Sequence, residues 1–135
     1  MPAEAYRLLA EQESSLLIDV RTKPEWAYVG GPDLTALGKR ALCLEWQGYP
    51  SMQRDALFTD RLSAMLAEAG AERGAPLLFL CRSGARSREA AIAMTAVGWA
   101  PCFNIADGFE GPLDALGHRS STGGWRAGGL PWKQT

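Results

Sequence analysis

Apolar residues along this chain fall into two periods, and their alternation predicts an α/β protein. From Pro2 to Glu13, Ala5, Leu8 and Leu9 share one face while Glu4, Arg7 and Glu11 lie elsewhere, and Pro2 opens a helix where its missing N–H costs nothing. The run Leu16-Leu17-Ile18-Asp19-Val20 is continuously apolar but for Asp19, as expected of a strand buried on both faces of a parallel sheet. A short helix is expected over Pro24–Val29, closed by Gly30-Gly31-Pro32, with loop from there to Arg40. Ala41–Leu44 offers a second strand, followed by a turn at Gly48-Tyr49-Pro50. Between Asp55 and Gly70, Phe58, Leu62, Met65, Leu66 and Ala69 recur at helical spacing and end at a capping glycine. Pro76–Cys81 is the most apolar strand candidate, Arg86–Val97 follows as a helix stopped by Gly98, and Cys102–Ile105 is a last strand. Helices and strands alternating in this way imply a parallel sheet joined by right-handed crossovers.

Composition narrows the class. At 135 residues, 47% apolar and 21% charged, the chain is sized for one domain and can bury a core without staples, which excludes disorder. A formal net charge of -1 gives no basic field for a phosphate backbone, so nucleic acid is excluded as a partner class. Cys43, Cys81 and Cys102 are odd in number and widely spaced, which suits neither a disulfide framework nor a zinc site. The start Met1-Pro2-Ala3-Glu4-Ala5-Tyr6-Arg7 lacks the pattern of a secretory leader and no apolar run reaches membrane-spanning length, so a cytoplasmic chain with no membrane partner is expected.

Chemistry concentrates in Cys81-Arg82-Ser83-Gly84-Ala85-Arg86-Ser87, between the most apolar strand and a helix. Ligands of open α/β sheets bind beyond the carboxyl ends of the strands, where this loop must lie. A cysteine there meets loop amides, the positive end of the next helix and the guanidinium groups of Arg82 and Arg86, all of which stabilise an anion. They favour thiolate over thiol and would equally hold a persulfide whose outer sulfur is charged. Gly84 permits a tight loop. A cysteine that merely ends an apolar strand is the bland alternative, but neighbouring Arg, Ser and Gly are not what a packed strand end requires.

This loop resembles the active-site loop of single-domain rhodanese-like sulfurtransferases, and Ile18-Asp19-Val20-Arg21 with Pro24-Glu25-Trp26 is similar to their N-terminal signature. The resemblance runs from the first helix to about Gly111. It implies a three-layer fold with a mostly parallel central sheet flanked by helices, and a persulfide relay needing no cofactor or metal. In that relay Cys81 takes a sulfane sulfur from a small anionic donor such as thiosulfate and passes it to cyanide or a thiol, including a thiol on a protein. Arg82, Ser83, Gly84, Ala85, Arg86 and Ser87 match the substrate-binding loop. Arg82 and Arg86 are expected to clamp the donor, and Ser83 and Ser87 to donate hydroxyl hydrogen bonds, with Ser87 alternatively part of the helix cap. Asp19, Arg21 and Glu25 read as structural support, Arg21 pairing an acid and Asp19 bonding nearby backbone. Val29-Gly30-Gly31-Pro32-Asp33-Leu34 departs from the Gly-His-Ile that usually follows the signature, and Ile105–Gly111 from a common Gly-Gly and Trp pattern.

The single domain, 1–135, ends in a segment, 108–135, that holds seven of the 15 glycines with Trp125 and Trp132, and is expected to wrap the domain and pin itself with tryptophans. Trp125 is also a candidate pocket wall, whereas Trp26, Trp46 and Trp99 read as packing residues. His118 reads as a solvated loop residue, and Cys43 and Cys102 as core. Two other functions stand against sulfur transfer. One is a cysteine-dependent phosphatase or arsenate reductase, but these need five residues between Cys and Arg to encircle a tetrahedral oxyanion, and Cys81 and Arg86 are separated by four. The other is a non-catalytic sulfur-carrier or interaction module.

Overall fold

The computed structural model describes residues 1–134. In chain order the elements are α1 (Pro2–Glu11), β1 (Leu16–Asp19), one π-helical turn (Glu25–Val29), β2 (Gly31–Pro32), a 3-10 turn (Thr35–Leu37), β3 (Leu42–Cys43), β4 (Gln47–Gly48), β5 (Gln53–Arg54), α2 (Phe58–Glu68), β6 (Leu77–Leu80), α3 (Ala85–Ala96), β7 (Cys102–Asn104) and β8 (Trp132–Lys133). The central sheet has the order β3-β1-β6-β7 and is parallel throughout, with Leu16 beside Leu77 and Leu77 beside Cys102. This is the expected α/β architecture. Two small antiparallel ladders, β2 with β8 and β4 with β5, fall where only loop and turn were expected. At two residues per strand they carry no periodic signal.

Side-chain alternation in the strands builds two cores. Ile18, Val20, Leu77 and Phe79 face one side, against Phe58, Leu62 and Leu66 of α2 and Ala90, Ala91 and Met94 of α3. The two alanines let α3 lie close to the sheet. Leu17, Leu78 and Leu80 face the other side, where α1 offers Ala5 and Leu9. One short helix cannot cover that face, and Phe109 and Trp125 complete it, both 0% exposed. The C-terminal segment therefore supplies part of a layer. Trp125 is fully buried, with its indole N–H donating to the Pro131 carbonyl at 2.7 Å, so it belongs to the core and does not wall a pocket.

The other tryptophans divide. Trp46 and Trp99 are buried as expected, while Trp26 is half-buried. Cys43 departs from the core reading, standing exposed on one edge strand, while Cys102, on the other edge strand, is half-buried and packs against the core. His118 is exposed in the C-terminal segment, as expected.

At the end of β1, Asp19 forms a fully buried ion pair with Arg21, Arg21 Nη2 lying 2.7 Å from Asp19 Oδ2 and Nε 2.9 Å from Oδ1. Arg21 also donates to the Gly30 carbonyl at 2.7 Å and lies 4.5 Å from the Phe109 ring centroid. These two residues thus tie β1 to the Gly30 turn and to the C-terminal segment. Replacing Trp125 with alanine should cost about 3–5 kcal/mol in urea unfolding, the usual range for a large buried aromatic; a loss below about 1 kcal/mol would show that this segment is not part of the core.

Candidate functional site

Cys81 follows the last residue of β6, at the carboxyl edge of the sheet and 1% exposed. The Gly84 N–H donates to its Sγ at 3.0 Å, and the Ser87 hydroxyl lies 3.2 Å from the same atom. Gly84 is the one loop amide bonded to the sulfur among the described residues, fewer than the several expected. Its backbone is left-handed (φ 112°), and a Cβ there would come 2.1 Å from the Ala106 carbonyl oxygen, so this position requires glycine. Gly84 is also the N-cap of α3, which places Ser87 inside the first turn and not at the cap.

Ser87 has one proton and three acceptors in reach. Its Oγ is 2.6 Å from Asn104 Oδ1, 3.2 Å from the Gly84 carbonyl and 3.2 Å from Cys81 Sγ. Donating to Asn104, it can accept the Cys81 S–H; turned to the sulfur, it solvates a thiolate. Asn104 Nδ2 donates to the Gly84 carbonyl at 3.1 Å and so braces the loop from β7. Sequence reading passed over Asn104. The available signal was its place near the end of the last strand, at the ligand edge of the sheet.

The two arginines of the loop differ. Arg82 is exposed, and its side chain makes no hydrogen bond or ion pair among the described residues. Arg86 does not stand open as a donor clamp. Its Nη1 and Nη2 meet Glu25 Oε1 and Oε2 at 2.8 and 3.1 Å. Glu25 Oε1 also accepts from the Thr22 N–H at 3.2 Å and its hydroxyl at 2.9 Å. Burial pushes the Glu25 carboxyl up, but the hydrogen bonds and charge of Arg86, helped by Thr22, outweigh it and hold the group below the usual glutamate range. Glu25 keeps the supporting role read from the sequence, while its partner in the cysteine loop lies too far along the chain for spacing to show. Ser83 is half-buried and Ala85 exposed, and the Ser83 hydroxyl makes no hydrogen bond among the described residues.

The other thiols lie outside this constellation. Although Cys43 is exposed as a residue, the protein crowded around its sulfur pushes its thiol up to about 11, with the Asp19 charge adding to the effect. Cys102 Sγ donates to the Trp99 carbonyl, and burial raises its thiol as well. Among the described residues no group of His, Cys, Asp and Glu could hold a metal ion, and no helix is long and apolar enough to cross a membrane.

Compared with known families, residues 2–135 match the STR4 middle domain. The chain belongs to that family. Among solved structures it is similar to Rv0390 from M. tuberculosis, at 42% identity and a TM-score of 0.88, covering all of this chain and 96% of that one. An uncharacterized protein of Rickettsia rickettsii, the RP600 homolog, is 37% identical over 132 residues, covering 96% of this chain and 92% of the relative. A rhodanese-like domain protein from Staphylococcus aureus has the same fold at 20% identity, with a TM-score of 0.52 over 79% of this chain and 82% of that one. The chain, a member of the STR4 middle-domain family, thus has a rhodanese-like fold, the fold that its two motifs implied.

In this rhodanese-like domain the Glu25–Arg86 pair has a pH signature. Because the folded Glu25 carboxyl is held low, its stabilisation is complete above the ordinary glutamate value of about 4.3 and is lost as pH falls through the folded value. Glu25→Gln should therefore destabilise the protein at pH 7, and urea titrations at successively lower pH should show the gap to wild type closing below about pH 4. A gap that widens in acid would contradict the pairing.

Proposed function

We propose that this rhodanese-like domain is a sulfurtransferase that carries a sulfane sulfur on Cys81 as a persulfide, from a small donor to a thiol or cyanide acceptor. The observation behind this reading is the setting of Cys81 Sγ: at the end of β6, facing the start of α3, with the Gly84 amide and the Ser87 hydroxyl within hydrogen-bonding distance. Both groups stabilise negative charge on sulfur, as does the N-terminal end of a helix of 12 residues.

In the first half-reaction the Cys81 thiolate attacks the outer sulfur of the donor. The Cys–S bond forms, the donor's own bond to that sulfur breaks, and the leaving group departs with the electron pair. In the second, the acceptor attacks the outer sulfur of the persulfide and Cys81 leaves as thiolate. Arg82, exposed on the same loop, is the residue available to meet an anionic reactant. Phosphate-ester chemistry fits less well, because the guanidinium that would close around a tetrahedral oxyanion is already held by Glu25.

Incubation with a low-molecular-weight persulfide or with thiosulfate should add the mass of one sulfur atom, and cyanide should remove it as thiocyanate. Cys81→Ser should abolish both, and an aryl phosphate offered in parallel should not be hydrolysed. Sulfur that still loads onto Cys81→Ser, or a wild-type protein that loads from neither donor, would sink the assignment.

A further inference from the structure

Arg86 sits at the second position of α3, where a free guanidinium would face an anionic donor. Its fork is filled by Glu25, two oxygens against two nitrogens at 2.8 and 3.1 Å, with 16% and 18% of the two side chains exposed. Thr22 holds the carboxylate in that pose through its N–H and its hydroxyl. Burial disfavours the charged form of Arg86, but the hydrogen bonds and charge of Glu25, with smaller contributions from the charges of Cys81 and Asp19, outweigh it.

Other charges around the loop are matched in the same way. Arg21 is paired with Asp19 at 2.7 Å, on the end of the neighbouring strand. Arg126 lies 3.8 Å from Glu110, whose backbone N–H caps the Arg82 carbonyl at 2.9 Å. Among the described residues this leaves Arg82 as the loop's unpaired cation. The loop thus offers one open guanidinium, a helix terminus and an amide. That field suits one negative sulfur better than a sulfur-oxygen dianion, which would bring its second charge toward the Glu25 carboxylate without a second fork to receive it.

We infer that Glu25 is a specificity-determining residue: by occupying Arg86 it turns the site away from oxyanion donors such as thiosulfate and toward sulfane sulfur carried on an organic thiol, an alkyl persulfide. The inference rests on the reading of Cys81 as the sulfur carrier. With such a donor, R–S–SH, the Cys81 thiolate bonds to the outer sulfur, the S–S bond breaks, and R–S⁻ leaves with the electron pair. The proton stays on the transferred sulfur or passes to solvent, and no outside oxidant or reductant takes part.

The test compares kcat/KM for loading Cys81 from thiosulfate and from glutathione persulfide. In the unaltered protein the persulfide should lead by about tenfold or more, and in Glu25→Gln the thiosulfate-to-persulfide ratio should rise by about tenfold, the scale of removing one nearby charge from a partly exposed site. The Gln side chain keeps an oxygen for Thr22 while removing the charge. The gain should vanish in the double variant Glu25→Gln/Arg86→Gln and shrink as salt is raised. A ratio that stays constant or falls in Glu25→Gln overturns the inference while leaving Cys81 as carrier. Should Glu25→Gln fail to fold, a wild-type preference for thiosulfate overturns it equally. If neither donor loads the wild-type protein, both readings fail together.

Discussion

The cysteine loop keeps its shape because the chain from Ala106 to Gly111 is packed against it backbone to backbone. The Phe109 N–H donates to the Cys81 carbonyl at 2.8 Å, and the N–H groups of Glu110 and Gly111 share the Arg82 carbonyl at 2.9 and 3.2 Å. Contact this close excludes side chains: a Cβ on Gly84 would meet the Ala106 oxygen at 2.1 Å, and one on Gly108 would meet the Cys81 and Arg82 carbonyls at 2.6 Å. Those carbonyls are thereby occupied by N–H groups of the C-terminal segment. The Gly84 N–H faces the sulfur.

That segment is held in turn by the core. Trp125 and Phe109 fill the sheet face that α1 leaves open, and the Trp125 N–H donates to the Gly108 carbonyl at 2.9 Å. Arg21 under the Phe109 ring adds a charged anchor from the end of β1. Hydrophobic burial on one face of the sheet thus sets the position of peptide groups at its carboxyl edge. The setting of the Cys81 sulfur thus depends on side chains packed on the opposite face of the sheet.

Electrostatics around the loop follow one pattern, in which guanidinium groups are matched with carboxylates and one is left open. Arg21 with Asp19 and Arg86 with Glu25 bring residues of the N-terminal signature to the carboxyl edge of the sheet, and the second pair joins that signature to the cysteine loop across 61 positions of sequence. An arginine in an active-site loop invites the reading of a free anion clamp. Its partner decides otherwise, because a bidentate carboxylate uses the same two N–H groups that a sulfonate would.

Much of the fold was legible because its signals are local. Phe58, Leu62 and Leu66 mark α2 by spacing alone, and the apolar runs ending at Asp19 and Leu80 mark the two central strands. The place of Cys81 followed from the rule that ligands bind at the carboxyl ends of parallel strands. Order along the chain therefore determined the α/β class, the parallel sheet and the place of the loop that carries Cys81. Tertiary structure alone decided which of its arginines is free, that Asn104 braces the loop through Ser87 and Gly84, and that Trp125 is core. Each of these is a contact between residues far apart in the chain, and hydrophobic periodicity reports which way a side chain faces but not what it meets there.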